Sequence, residues 1–362
     1  MKHRIEYIDA LRGFTMILVV FVHVEMFGIF GHINITPLNT LFQTIHMPLF
    51  FFISGIIAYS STKEWNRKAF GVSLWKKCRV LLPPALICGL LYTYLVVQKD
   101  VFLFVLNPAK QGYWFTIVLL EMFLIYYIVN QFVFYRKNTT KSQFNDTLWC
   151  ALLIGLAVVM YVAKVPFKMN PTLCVLGDIT SLHFTFNFFQ FFVFGLMAAH
   201  FKPYFELLLT NKYVCAFVVL AFFIGWFLKT FYVAPHETAV VDMWKCLATL
   251  LDTICGYLGV VLVYGFFVKH QVWFSSHTYT GRRLQGIGRR TLDIYLLHYF
   301  FLPTLPMVGT FLSLYPNVVV ELCIGGIISL LVIGCSLVVS ELLRMSDYLA
   351  YWLFGTPMPS DK

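Results

Sequence analysis

The sequence predicts an all-α polytopic membrane protein, a bundle of about ten transmembrane helices with both termini in the cytosol. Composition, the length of the apolar runs and the placement of charge each lead there. Of 362 residues, 59% are hydrophobic and 12% charged, with 38 phenylalanines, whereas a soluble domain carries roughly a quarter charged residues. With a mean hydropathy of +0.76, the chain has more apolar surface than one soluble core hides, so lipid must be the solvent. The apolar residues fall in runs of about 17–25, the length that crosses the hydrocarbon layer as helix, and do not alternate as barrel strands do. Placing the N-terminus inside puts 21 of the 27 basic residues in cytosolic segments and 6 outside, as the positive-inside rule requires. That asymmetry accounts for most of the net charge of +10, so no nucleic-acid partner is implied.

The first span, 13–30, holds the most informative pair of residues, Arg12 and His23. Eleven steps of helix return to nearly the same face ~16 Å further along. Arg12 then sits at the inner boundary and His23 near mid-membrane, where an ionisable side chain is expensive and marks a site. A guanidinium binds phosphate bidentately, which points to a phosphorylated cytosolic substrate. A neutral imidazole can take a proton from a hydroxyl nucleophile. Anchoring at the interface and helix packing are the competing roles of Arg12 and His23. Glu25, about 200° round the helix from His23, is expected to face the outer interface or another span. Glu6, Asp9 and Arg12 interrupt the basic lead and no small-residue cleavage site follows, so this segment is expected to remain a helix.

The second span, 41–60, carries His46-Met47-Pro48 and then Phe51-Phe52-Ile53-Ser54-Gly55. Close helix packing is the default role of the small pair, and Ser54 as a nucleophile is the sharper one. Lys76, Lys77 and Arg79 end the loop before the third span, 80–98, where Pro83 and Pro84 are expected near its start. Lys76 and Arg79 share a face if helix begins there, and could help hold phosphate. The fourth span, 113–135, opens on Trp114, an interfacial anchor, with Glu121 two turns deeper and in need of a partner. The fifth, 148–163, and seventh, 213–228, look short enough to extend into their flanks. The sixth, 182–200, offers Asn187 and Gln190 for a polar cavity or interhelical hydrogen bonds. The eighth covers 246–268. In the ninth, 291–312, Asp293 is placed to pair with Arg289 or Arg290, His298 is embedded, and Pro303 and Pro306 can kink the helix. The tenth spans 318–340. The nine cysteines are odd in number and contain no Cys-x-x-Cys pair, so neither a disulfide framework nor a zinc site is indicated and no metal is expected.

Together these segments resemble the acyltransferase-3 family of bacterial integral membrane acyltransferases. The matching residues are Ile8-Asp9-Ala10-Leu11-Arg12-Gly13, the Arg12/His23 pair, and His46-Met47-Pro48 through Phe51-Phe52-Ile53-Ser54-Gly55. Lys76-x-x-Arg79, Tyr113-Trp114-Phe115 and Asp293-Ile294-Tyr295-Leu296-Leu297-His298 extend the match to about residue 340. Lys76 stands where the family segment has arginine, which removes a bidentate phosphate ligand. Glu121 is spaced from Trp114 differently from the O-antigen-modifying members. The resemblance implies an acyltransferase domain over 5–342, followed by a short cytosolic tail, 343–362, in a bacterial cytoplasmic membrane. It implies transfer of an acyl group, often acetyl, from cytosolic acyl-CoA to a hydroxyl of a surface glycan, lipid-linked saccharide or related acceptor, with no permanently bound cofactor. His23 and Arg12 would carry the reaction, and Lys76, Arg79, Ser54, Trp114, Glu121 and His298 would contact substrate. A transporter or flippase for a glycan precursor is the rival reading, although residues 1–180 and 181–362 show no internal repeat of the kind many transporters have.

Overall fold

In lipid every backbone N–H and C=O must find a partner within the chain, so an apolar sequence of this kind resolves into helices. The computed structural model describes residues 5–31, 36–60, 65–140, 145–234 and 243–356, and these are helical with no strand among them. Of the basic residues that set the expected orientation, Lys2, Arg4, Lys63, Lys141 and Lys362 lie outside the described residues. The elements are α1 Glu6–His23, α2 Pro37–Ala58, α3 Arg67–Tyr92, α4 Phe102–Leu106, α5 Trp114–Thr140, α6 Asn145–Met169, α7 Pro171–Thr180 and α8 Leu182–His200. They continue as α9 Lys202–Thr210, α10 Lys212–Phe227, α11 Met243–Lys269, α12 Tyr279–Arg289, α13 Thr291–Leu297, α14 Pro306–Leu314, α15 Val318–Leu343 and α16 Asp347–Phe354.

Among the described residues nine helices are long and apolar enough to cross a membrane, and a tenth span exists if α13 and α14 count as one. That pair is bent by 91° at residues 302–305, so the ninth expected span is broken rather than gently kinked. Pro303 lies in the break, and Pro306 opens α14, where its missing N–H is harmless. α3 begins thirteen residues before the expected apolar run, because the Asn66 side chain accepts from Ala69 N at 2.8 Å and caps it there. Lys76 and Arg79 therefore lie within the helix rather than in a loop, and Pro83 and Pro84 are interior to it. The fifth and seventh spans do extend, to Asp146–Met169 and Lys212–Val233.

The chain divides into two compact units, Met1–Ile53 with Phe201–Leu337, and Ser54–His200 with Val338–Lys362. In the first, α1 is the central helix, with 67% of its most apolar 18-residue stretch buried. It crosses α12 at two glycines. A Cβ on Gly13 would lie 2.0 Å from Leu284 O, and one on Gly288 would lie 1.8 Å from Asp9 O. Only the absence of both side chains lets these backbones touch. After His23, α1 widens into a π-helical turn, Val24–Ile29, a form that recurs at functional sites. The turn leaves Gly28 O facing the break in the ninth span, and Leu305 N donates to it at 2.7 Å. A backbone group freed by the proline break is thereby satisfied, and the start of α14 is tied to the turn that follows His23.

In the second unit α3 packs on α5, and α8 on α5 and α6. Gly55 lies against the α8 backbone at Phe192, as expected of a small residue beside Ser54. The segment expected to be a plain tail contains α16, which Ser346 caps and which packs on α3.

Candidate active site

His23 and His298 are 275 residues apart and meet directly. His23 Nδ1 lies 2.9 Å from His298 Nε2, with the ring planes within 9° of parallel. The proton positions follow from the partners. His298 Nδ1 faces two acceptors, Ile294 O at 3.0 Å and Tyr295 O at 2.9 Å, so Nδ1 carries a hydrogen. His298 is fully buried, where an uncompensated imidazolium is unfavourable, so the ring is neutral and its Nε2 accepts. His23 Nδ1–H must then be the donor, which leaves His23 Nε2 with the lone pair. The Tyr299 hydroxyl is 3.3 Å from that nitrogen and donates to it. The chain carbonyl–His298–His23–Tyr299 fixes one tautomer and aims one basic nitrogen. His23 retains partial exposure, with Phe27 (5.6 Å between ring centroids) and Tyr299 (5.0 Å) against its ring.

Arg12 stands about three turns back along the same unbroken helix. Its Nη2 donates to Thr291 Oγ1 at 2.8 Å, and Nη1 lies 3.8 Å from Asp9 Oδ1. Thr291 opens α13 and His298 follows its last residue, so one short helix touches both Arg12 and His23. The two side chains therefore do share a face of α1, as their spacing predicts. Arg290 and Asp293 form the expected ion pair at 3.1 Å. The exposed Arg282, Arg283 and Arg289 of α12 add further positive charge to the same unit. Glu25 faces another span, accepting from Asn39 Nδ2 of α2 at 2.8 Å.

The other expected site residues belong to the second unit. Trp114 stacks on Phe184 and Phe188 of α8, with centroids 4.2 and 5.7 Å away. On the same face of α5, Glu121 accepts a short hydrogen bond from the Thr185 hydroxyl, so its expected partner exists. Asn187 accepts from Lys164 Nζ at 3.3 Å, and Gln190 donates to Asn187 O at 2.9 Å. Lys76 is exposed on α3. Arg79 is half-buried, its guanidinium 5.1 Å from the Tyr351 ring of α16, and its Nε has no hydrogen-bond partner among the described residues. Ser54 is half-buried at the close approach to α8. Arg12, His23 and His298 are thus assembled within one unit, and Trp114 and Glu121 within the other.

Two residues are invisible to sequence reasoning. Tyr299 is one aromatic among 66 Phe, Tyr and Trp residues, and only its adjacency to His298 could have drawn notice. Lys110 is buried, and its ammonium donates to Val105 O, Asn107 O and Asp178 O at 2.6, 2.9 and 2.7 Å. Burial lowers it to about 8 although Asp178 and Glu121 oppose the shift, so the charged form persists at neutral pH and its three protons hold the loop before α5.

Residues 5–340 match the acyltransferase-3 family, described as an acyltransferase domain. No curated protein and no solved structure matches the chain. The family match covers nearly the whole sequence, and the structure is the helical, multi-span bundle such a membrane enzyme requires: the chain belongs to the acyltransferase-3 family and is a membrane acyltransferase.

Proposed function

We propose that this acyltransferase moves an acyl group, acetyl in the simplest case, from cytosolic acyl-CoA to a hydroxyl of a cell-surface glycan or related acceptor, working in a bacterial cytoplasmic membrane. The observation that carries the reading is the relay that leaves His23 Nε2 as an aimed proton acceptor, on the same helix face as Arg12.

In this reading the charge asymmetry puts Arg12 at the cytosolic end of α1, where its guanidinium takes CoA phosphate. The pantetheine arm, extended along α1 over the ~16 Å that eleven helical residues span, carries the thioester to His23. The acceptor hydroxyl replaces Tyr299 at His23 Nε2 and gives up its proton there as its oxygen attacks the thioester carbonyl. The carbon–sulfur bond then breaks, and the CoA sulfur leaves with the proton that His23 returns. His298 accepts from His23 throughout and steadies the imidazolium that forms between the two proton transfers. Confining both reactants to one site supplies much of the acceleration.

The test uses proteoliposomes, acetyl-CoA labelled in the acetyl group, and an envelope glycan fraction. Alkali-labile labelled ester and an equal amount of free CoA thiol are expected from the wild type and not from a folded His23→Ala variant. Unchanged ester formation in that variant overturns the base assignment. Ester formed without acyl-CoA overturns the donor. Movement of glycan across the bilayer with no ester formed favours the transport reading.

A further inference from the structure

We infer that Cys174, Asp178 and His183, at the corner between α7 and α8, form a zinc site. It lies outside the residues given roles above, and its ligands come from two helices that no sequence motif connects.

The corner is built to bring three donor atoms together. Asn170 accepts from Leu173 N at 3.1 Å and starts α7, with Pro171 at its first position. Cys174 and Asp178 are then one turn apart and project from the same face. Ser181 takes a left-handed backbone, φ 66°, and its hydroxyl donates to Pro108 O at 2.8 Å. This turns the chain so that His183, in the first turn of α8, folds back over α7. Gly177 makes room, since a Cβ there would lie 2.6 Å from His183 Nε2. The Phe167 ring, edge-on at 5.6 Å and 78°, holds the imidazole plane.

His183 Nε2 lies 3.2 Å from Asp178 Oδ1 and 4.0 Å from Cys174 Sγ, and all three donor atoms fall within 4.8 Å of one another. Tetrahedral zinc, with bonds near 2.0–2.3 Å, sets N and O donors about 3.4 Å apart and S and N donors about 3.6 Å apart. The His183–Asp178 and His183–Cys174 separations differ from these by a few tenths of an ångström, and the Cys174–Asp178 separation is within 4.8 Å. A histidine–aspartate hydrogen bond alone explains one of these contacts. The same nitrogen also lies 3.3 Å from the Cys174 backbone oxygen, so without metal its N–H is shared between that carbonyl and Asp178. A bound ion would instead take the three side-chain donors. A thiolate, an imidazole and a carboxylate suit Zn²⁺ and not Mg²⁺ or Ca²⁺, and three protein ligands leave the fourth position to water. All three residues are partly exposed, so an ion can enter. Lys110 is bonded to the backbone oxygen of Asp178 and fixes the last turn of α7. The ion would lock α7 to the start of α8, two residues before Thr185 holds Glu121.

The experiment uses the full chain purified in detergent, stripped with chelator and titrated with Co²⁺ as a spectroscopic stand-in for Zn²⁺. One equivalent per chain is expected, with the near-ultraviolet band of a thiolate–cobalt bond. Cys174→Ser should abolish the band, and His183→Gln should weaken binding by about tenfold or more. Cys246→Ser, at an exposed cysteine elsewhere, should leave the band intact. Zinc should also raise the melting temperature of the wild type and not that of Cys174→Ser. A wild type that shows no thiolate band at micromolar Co²⁺, or a band that survives in Cys174→Ser, overturns the site. Both outcomes leave the acyl-transfer reading untouched, because Arg12, His23 and His298 play no part in them.

Discussion

Replacing His298 separates a positioning role from mere packing. Among the described residues the wild-type His23 Nδ1–H has a single acceptor, His298 Nε2 at 2.9 Å, and His298→Leu removes it. When His23 takes the acceptor's proton it becomes a cation, and the lost bond is then charge-assisted, worth about 1.5–3 kcal/mol. At 1.36 kcal/mol per decade of rate, kcat should fall about 10- to 150-fold, while KM for acyl-CoA should change little because Arg12 is untouched. His298→Gln offers a side-chain oxygen to the same N–H and should recover a large part of the loss. The assay is steady-state release of CoA thiol in proteoliposomes, with melting temperatures showing that each variant remains folded. The relay is refuted if His298→Leu turns over at the wild-type rate while His23→Ala is inactive. It is equally refuted if folded His298→Gln is as slow as folded His298→Leu.

Arg12→Lys should raise KM for acyl-CoA about tenfold with a smaller change in kcat, because an ammonium cannot grip phosphate bidentately; an unchanged KM removes the phosphate role. Tyr299→Phe keeps the ring and deletes the hydroxyl that donates to His23 Nε2, so kcat should change by less than in His298→Leu; inactivation as complete as in His23→Ala would make the tyrosine, not the histidine pair, the centre. Gly288→Ala forces a methyl against Asp9 O, 1.8 Å from the Cβ position. Overpacking of this kind destabilises by about 1–3 kcal/mol or more, and a melting temperature equal to the wild type's would show that α1 and α12 do not depend on that contact. Thr185→Val strips Glu121 of its hydroxyl donor and should lower thermal stability by about 1–3 kcal/mol, measured by a dye-based melt.

Hydropathy is a sum of transfer free energies over a window of about 19 residues. It therefore reads which segments prefer lipid, but not where each helix starts or which side chains meet across spans. That is why the apolar core of the third span is evident in the sequence while its true start, at the Asn66 cap, is not. It is also why the ninth span reads as one helix although α13 and α14 meet at 91°. The prolines signal that a break is available, but not that the freed Leu305 N–H finds its acceptor at Gly28 O, in the turn after α1.

The sequence by itself determined the membrane class, the number of spans, and the alignment of Arg12 with His23, because each depends on local composition or on the fixed pitch of one helix. The tertiary structure alone decided which nitrogen of His23 is basic. That choice rests on a hydrogen bond to His298, 275 residues away, and on two carbonyls behind it. Hydrogen bonds between distant segments leave no period, spacing or composition in a chain, so only the folded arrangement can assign them.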